Sequence, residues 1–274
     1  MSKNYYYLIA SLPELHLDDN KEPYRVKDFV AELSEQLYPE HFNYVRSIIS
    51  IYDNANIVDA VLGRDTPWGQ QTGNRSFKEI RDLLAEDGFG FDEYIISSLK
   101  QIGHSNKEEK NLLRANLEDI IFSNYYRKMT AHENLFIQTY FKFDFQLRNI
   151  LVALNKRKFN LENADFIDIE EDSYIVNKLR SNGANDFGLS GDIEYLQKLI
   201  ESVNNNESIH IEKYIDQLRW NKIEEINTFK YFEIDVLLGF LLKLMLVERW
   251  IHLDEHKGSE IFDERAKAEL SVKA

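Results

Sequence analysis

The sequence has no cysteine, only four prolines and only eleven glycines in 274 residues, and each scarcity removes a class of protein. Without cysteine there is no disulfide, no thiol nucleophile, no iron–sulfur cluster and no cysteine zinc site, a pattern that fits a reducing compartment. So few turn residues argue against a sandwich, barrel or propeller. All four prolines, at positions 13, 23, 39 and 67, lie in the first quarter, so nothing beyond residue 68 carries a proline brake on a long helix. Long greasy runs are missing too. Val236–Val247 is the longest, at twelve residues including Lys243, against the roughly 20 that cross a bilayer. The opening Met-Ser-Lys-Asn-Tyr-Tyr-Tyr lacks an apolar signal core with a small-residue cleavage site. The expectation is a cytoplasmic protein that could still dock on a membrane complex. Finally, basic residues are short: 33 Lys and Arg against 47 Asp and Glu, a net charge of −14. That argues against general nucleic-acid binding and against electrostatic attachment to anionic lipid. It fits plain solubility, or a surface complementary to a basic protein partner.

What is present is a core. Hydrophobic residues make up 43% of the chain and aromatic residues 13%, ample for a folded protein of one large or two to three small domains. The apolar spacing is helical over most of the length. Tyr5–Ala10 reads as a short strand or a helix start. Val26, Phe29, Val30, Leu33 and Leu37 form one stripe, with Pro23 suited to a first turn and Pro39 stopping the helix or restarting it at a corner. Phe42, Val45, Ile48, Ile49 and Tyr52 continue the pattern, followed by Ile57, Val61 and Leu62 up to Gly63. A loop over 63–75 follows, and Ser76 with Glu79 predicts a capping box. Further helices are expected at 92–102, 107–130, 132–157, 173–181, from Ser190 as N-cap to about 203, and at 207–226, 233–254 and 257–271, with Asn182-Gly183 as a C-cap. Residues 162–172 carry six acids and no base, the composition of a solvated connection. Val236–Val247 is apolar on nearly every side, which predicts the buried central helix of its domain.

Residues that could carry chemistry each have a plainer reading. Asp186-Phe187-Gly188 resembles a protein-kinase metal-binding triplet, but the other kinase parts are missing, and a tight turn using Gly188 and Gly191 explains it. Gly188-Leu189-Ser190-Gly191 falls one residue short of a hydrolase elbow, without the alternating strands and helices that fold needs. Glu248, His252 and His256 lie four residues apart on one helical face and could ligate a metal; the ordinary reading is a solvated helix end. Lys156, Arg157 and Lys158 are a basic cluster in an acidic chain. They either complement a helix C-terminus by about 0.3–1 kcal/mol or touch a partner. Trp250 and the Arg219-Trp220 pair read as anchors at the edge of the core.

Two stretches echo each other: Asn56-Ile57-Val58-Asp59-Ala60-Val61 and Asn149-Ile150-Leu151-Val152-Ala153-Leu154 share Asn-Ile-aliphatic-x-Ala-aliphatic, the kind of trace left by a repeated helical unit. A resemblance points the same way. The stretch Thr228–Trp250, with Val236-Leu237-Leu238-Gly239-Phe240-Leu241-Leu242 at its centre, looks like the C-terminal helix region of the C subunit of V-type and archaeal-type ATPases. Phe143–Leu154 is similar to another helix of that protein. Tyr5–Leu15 and Asp186–Gly191 resemble, nearly end to end with the rest of the chain, a bacterial family of uncharacterised proteins grouped with it. The resemblance implies an all-α fold of repeated antiparallel helical modules arranged as a funnel, here divided at about 1–105, 106–203 and 204–274. It further implies a non-catalytic central-stalk subunit of a rotary ATPase, without cofactor or catalytic residues, whose partners are central-shaft subunits and the membrane rotor-ring subunit at the inner membrane. The alternative is a stand-alone helical interaction or regulatory protein of the same fold. A metal-dependent enzyme built on Glu248, His252 and His256 is a third class.

Overall fold

The computed structural model describes residues 5–18, 24–63, 73–86, 90–103, 117–161, 166, 173–205 and 208–252. Among these residues there are eleven α-helices and no strand. They are α1 (Tyr6–Ala10), α2 (Val26–Gln36), α3 (Pro39–Val61), α4 (Phe77–Ala85), α5 (Glu93–Gly103), α6 (Leu117–Thr130), α7 (Leu135–Phe159), α8 (Ser173–Ser181), α9 (Leu196–Asn204), α10 (Ser208–Asn227) and α11 (Ile234–His252). The all-α expectation is met, and the ambiguous Tyr5–Ala10 segment is helical.

Local chemistry accounts for many of the boundaries. Leu37 leaves α2 as an extended C-cap, and Pro39 opens α3 in the first turn, where its missing N–H has no partner to lose. The capping box of α4 is present: Ser76 Oγ accepts from the Glu79 N–H at 3.3 Å while the Glu79 carboxylate accepts from the Ser76 N–H at 2.7 Å. Asn134 caps α7, its side chain accepting from Ile137 N–H at 2.9 Å. That helix ends where Asn160 turns left-handed (φ 52°), a conformation asparagine tolerates better than most residues. One expectation needs correcting. Ser190 is not an N-cap, because α9 begins only at Leu196 and the Ser190 hydroxyl donates to Asp186 Oδ2 at 2.5 Å. Helix α8 ends at Ser181, immediately before Asn182-Gly183 as expected, with Asn182 N–H donating to Lys178 O at 3.0 Å; the left-handed residues of the turn that follows are Phe187 and Gly188. The helix expected at 257–271, most of the acidic 162–172 segment and the start expected at 107 lie outside the described residues.

The chain divides into two compact units, residues 1–38 with 230–274, and residues 39–229. In the first, α2 packs on α11, with Phe29 edge-on to Phe240 at 4.9 Å. Leu237, Leu238, Leu241, Leu244 and Val247 of α11 are fully covered, as expected for a helix without a polar face. Backbone N–H of Tyr5 donates to Phe232 O at 2.9 Å, tying the start of α1 to the turn before α11.

The second unit contains two groups of four helices packed in one order. In the first group α3 packs on α4 and α6, and α5 packs on α6. In the second α7 packs on α8 and α10, and α9 packs on α10. Each group has its own core: Ile57, Ile80, Phe91, Ile95 and Ile121 in the first, and Ile150, Leu179, Phe187, Leu199 and Ile215 in the second. The echoed Ile57 and Ile150 therefore occupy corresponding places, on the long first helix and in the core of each group. A second correspondence was not legible in the sequence. In each group an arginine covers a buried phenylalanine at the turn before the third helix and donates to a carbonyl of that turn. Arg75 lies 5.5 Å from the Phe91 ring and donates to Gly90 O at 2.6 Å. Arg157 lies 3.6 Å from the Phe187 ring and donates to Ala184 O at 2.6 Å. Packing of α6 on α7 joins the groups.

Candidate interaction surfaces

The basic cluster at the end of α7 is committed largely to its own fold. Beyond Ala184, Arg157 donates to the carbonyls of Asn185 and Asn182, so one guanidinium braces the whole turn between α8 and α9. Lys158 Nζ donates to Val203 O at 2.7 Å in the last turn of α9, where a cation meets the orphan carbonyls. Lys156 and Arg157 line a cavity of about 490 Å³ together with Arg180, Asn160 and Asn182. Arg180 is a member of this basic set that sequence inspection missed, because helix packing and not sequence proximity brings it there. Its guanidinium lies 5.7 Å from the Phe166 ring.

Asp186-Phe187-Gly188 forms a self-contained turn. Asp186 accepts from Gly188 N–H at 3.0 Å and from the Ser190 hydroxyl; those bonds hold its carboxyl below the usual range. Phe187 is buried and Gly188 O accepts from Lys178 Nζ at 2.8 Å. The geometry uses the acid, the ring and the serine to close a turn, and the Ser190 hydroxyl is spent on Asp186 rather than on a histidine base. Of the metal-capable set, Glu248 lies near the end of α11, while the His252 side chain and His256 lie outside the described residues. Among the described residues no three His, Asp or Glu side chains come together as a metal site.

Buried polar groups form two structural knots. In the first group of helices, Asp53 on α3 accepts from Asn74 N–H at 3.0 Å, Asn74 Nδ2 at 2.9 Å and Arg75 N–H at 3.1 Å. Burial nonetheless pushes its carboxyl above the ordinary value, against those donors. In the second, Arg219 on α10 bridges Asp144 on α7 and Asp216. The sequence flagged Arg219 only as a core-edge anchor. Its partner Asp144 was not apparent, since it lies 75 residues away.

Exposed aromatic side chains occur on both units, with Phe229 at 84%, Phe159 at 58% and Tyr174 at 56% on the second and the following on the first. Tyr7 is 88% exposed, Tyr231 66%, Tyr6 55% and Tyr38 50%. No described helix is long and apolar enough to cross a membrane.

A protein from Chlamydia muridarum (strain MoPn / Nigg), described as "Uncharacterized protein", is 20% identical over 267 residues, covering 95% of this chain and 97% of that one. No solved structure matches. The family model described as "Protein of unknown function (DUF2764)" matches residues 1–268, which takes in every helix described above. The chain belongs to the DUF2764 family.

Proposed function

We propose that the protein is a non-catalytic central-stalk subunit of a V-type rotary ATPase, linking the rotor shaft to the membrane ring during proton or sodium transport. The observation that carries this reading is the repeated packing order of α3–α6 and α7–α10, the plan expected of a protein built from similar helical modules. The resemblance of Thr228–Trp250 and Phe143–Leu154 to the C subunit of such motors supports it. A part that passes torque must resist local opening. Separate apolar cores in each group, the Arg75 and Arg157 braces and the Asp144–Arg219 pair across α7 and α10 supply that kind of stiffness. In this reading ATP is hydrolysed on other subunits, and Lys156 remains available to a partner while Arg157 and Lys158 hold turns. Association with the inner membrane would run through the rotor ring.

The test is to purify the tagged full chain from its native cell under conditions that keep rotary complexes intact. Recovery of shaft and ring subunits in stoichiometric amount is expected. Their absence, with the ATPase itself shown to be intact in the same extract, overturns the reading.

A further inference from the structure

Asn182-Gly183 is the one Asn-Gly pair in the chain, and the turn after α8 folds the asparagine side chain onto its own peptide. Asn182 Oδ1 accepts from the Ala184 N–H at 2.9 Å. A bond to the second residue on reaches across the Asn182–Gly183 peptide, so it brings the amide carbon Cγ towards the Gly183 nitrogen. Behind the amide stands Gly188, where an added Cβ would come 2.6 Å from Asn182 Nδ2; a larger residue there would push the side chain away. The Asn182 main chain is held as well, its N–H donating to Lys178 O at 3.0 Å and its carbonyl accepting from Arg157 Nη2. Gly183 itself is left open. It is exposed, nothing lies within 4 Å of the place its Cβ would take, and among the described residues its N–H meets no acceptor.

We propose that Asn182 is a site of self-modification, converting through a cyclic imide to an isoaspartyl or aspartyl residue. Base removes the Gly183 amide proton, and the nitrogen attacks Asn182 Cγ. As the N–Cγ bond forms, the Ala184 N–H stabilises the negative charge that develops on Oδ1. The Cγ–Nδ2 bond then breaks, and Nδ2 takes a proton from water and leaves as ammonia. Confinement of the amide favours the first step, because the reacting atoms need no further search for each other. Water opens the imide at one of its two carbonyls. Opening at Cγ restores the main chain with an aspartyl residue. Opening at the former Asn182 carbonyl routes the main chain through Cγ and leaves that oxygen in a free carboxylate. Arg157 already donates to this oxygen, and a guanidinium polarises a carbonyl more strongly than a neutral amide N–H does. The isoaspartyl form is therefore the main product, with Arg157 holding its carboxylate. The added negative charge falls beside a cavity that Lys156, Arg157 and Arg180 line. Water is the sole co-reactant. The proposal needs only this turn and is independent of the rotor reading.

The test is to incubate the full chain at physiological temperature and mildly alkaline pH in water enriched in heavy oxygen, and to follow each asparagine by peptide mass spectrometry. Residue 182 should take up heavy oxygen ahead of every other asparagine, at least as fast in the folded chain as in the chain unfolded by guanidinium chloride. Gly183→Ala should slow the uptake by about tenfold or more, with the circular dichroism of the native protein, since the added methyl meets open space. Electron-transfer fragmentation separates the two products. Their isoaspartyl-to-aspartyl ratio should be about threefold higher from the folded chain than from the unfolded one, where the Arg157 contact is lost. An Asn182 that stays intact in the folded chain, or converts faster once unfolded, means that the turn protects the amide and overturns the proposal. A folded Gly183→Ala variant that converts at the original rate overturns it too, as does a product ratio indifferent to folding.

Discussion

Arg219 Nε donates to Asp144 Oδ1 at 2.7 Å, joining α7 to α10 across 75 residues of chain. The other Asp144 oxygen accepts from the Tyr126 hydroxyl at 2.5 Å, and Arg219 Nη1 donates to Asp216 Oδ1 at 3.0 Å. One partly covered guanidinium, its side chain 22% exposed, thus neutralises buried carboxylates on two helices, with α6 contributing the hydroxyl. Arg219→Met keeps the stem but removes the guanidinium charge from Asp144 and the fully covered Asp216. Breaking a buried pair from one side costs about 3–5 kcal/mol, and urea unfolding should show a loss of that order. Adding Asp144→Asn to Arg219→Met should cost less than the sum of the singles, because the orphaned charge has gone.

Acid should attack the same knot. Burial works against the Asp144 charge, but the Arg219 guanidinium and the Tyr126 hydroxyl outweigh it and hold the carboxyl below its ordinary value of 3.8. A carboxylate depressed in the folded state contributes stability that is present above the unfolded value and is lost as pH falls through the folded one. The Asp144 contribution should therefore vanish only below about pH 4. His132 acts in a different window. Its Nδ1 accepts from the Asn134 N–H at 3.0 Å, and burial lowers its affinity for protons below the ordinary 6.5. The unfolded chain then binds the proton first, so stability declines as pH falls below about 6.5 and stops declining once the folded state is protonated. His132→Asn, which keeps an acceptor, should flatten that part of the stability–pH curve and leave the Asp144 part in place. An unchanged slope near pH 6 would remove His132 from the account.

Leu241 and Leu244 on α11 are both fully covered. Each Leu→Ala replacement there should cost about 2–5 kcal/mol, the range for a buried leucine whose site can only partly collapse. Thermal and urea midpoints measured on both variants check this, and near-neutral effects at both positions contradict the burial of α11.

The helical pattern was legible because the sequence records it twice, as apolar spacing and as caps: Val26, Phe29 and Leu33 are buried on one stripe, and Ser76–Glu79 forms the expected box. Ser190 was misread because serine before an apolar run suits an N-cap and a turn hydroxyl equally, and the nearby Asp186 decides between them. The Arg157 role was half visible: a cation at a helix end is readable, whereas its bonds to Asn182, Ala184 and Asn185 depend on a turn 25 residues further on. The Asn56-Ile57 and Asn149-Ile150 echo marks corresponding core positions, but Asp53 and Asp144 take unlike partners, a loop backbone in one case and Arg219 in the other. Sequence periodicity reports which face is buried; it does not report which polar groups the burial then has to satisfy.

Two glycines should respond oppositely to the same substitution. At Gly73 an added Cβ would overlap the Asp53 carboxylate and sit 2.9 Å from the Asp53 backbone nitrogen, inside the loop of donors that Asn74 and Arg75 direct at that carboxylate. The loop cannot withdraw without losing those bonds, and the buried acid has no water to replace them. Gly73→Ala should therefore destabilise by about 1–3 kcal/mol. At Gly191 nothing lies within 4 Å of an added Cβ and the backbone is not left-handed. There alanine mainly restricts the unfolded chain, so Gly191→Ala should be neutral or stabilise by up to about 1 kcal/mol. Side-by-side urea denaturation of the two variants reads the contrast directly. Equal effects would mean that the Gly73–Asp53 approach does not constrain the loop, and with it the anchoring of residues 73–75 to α3.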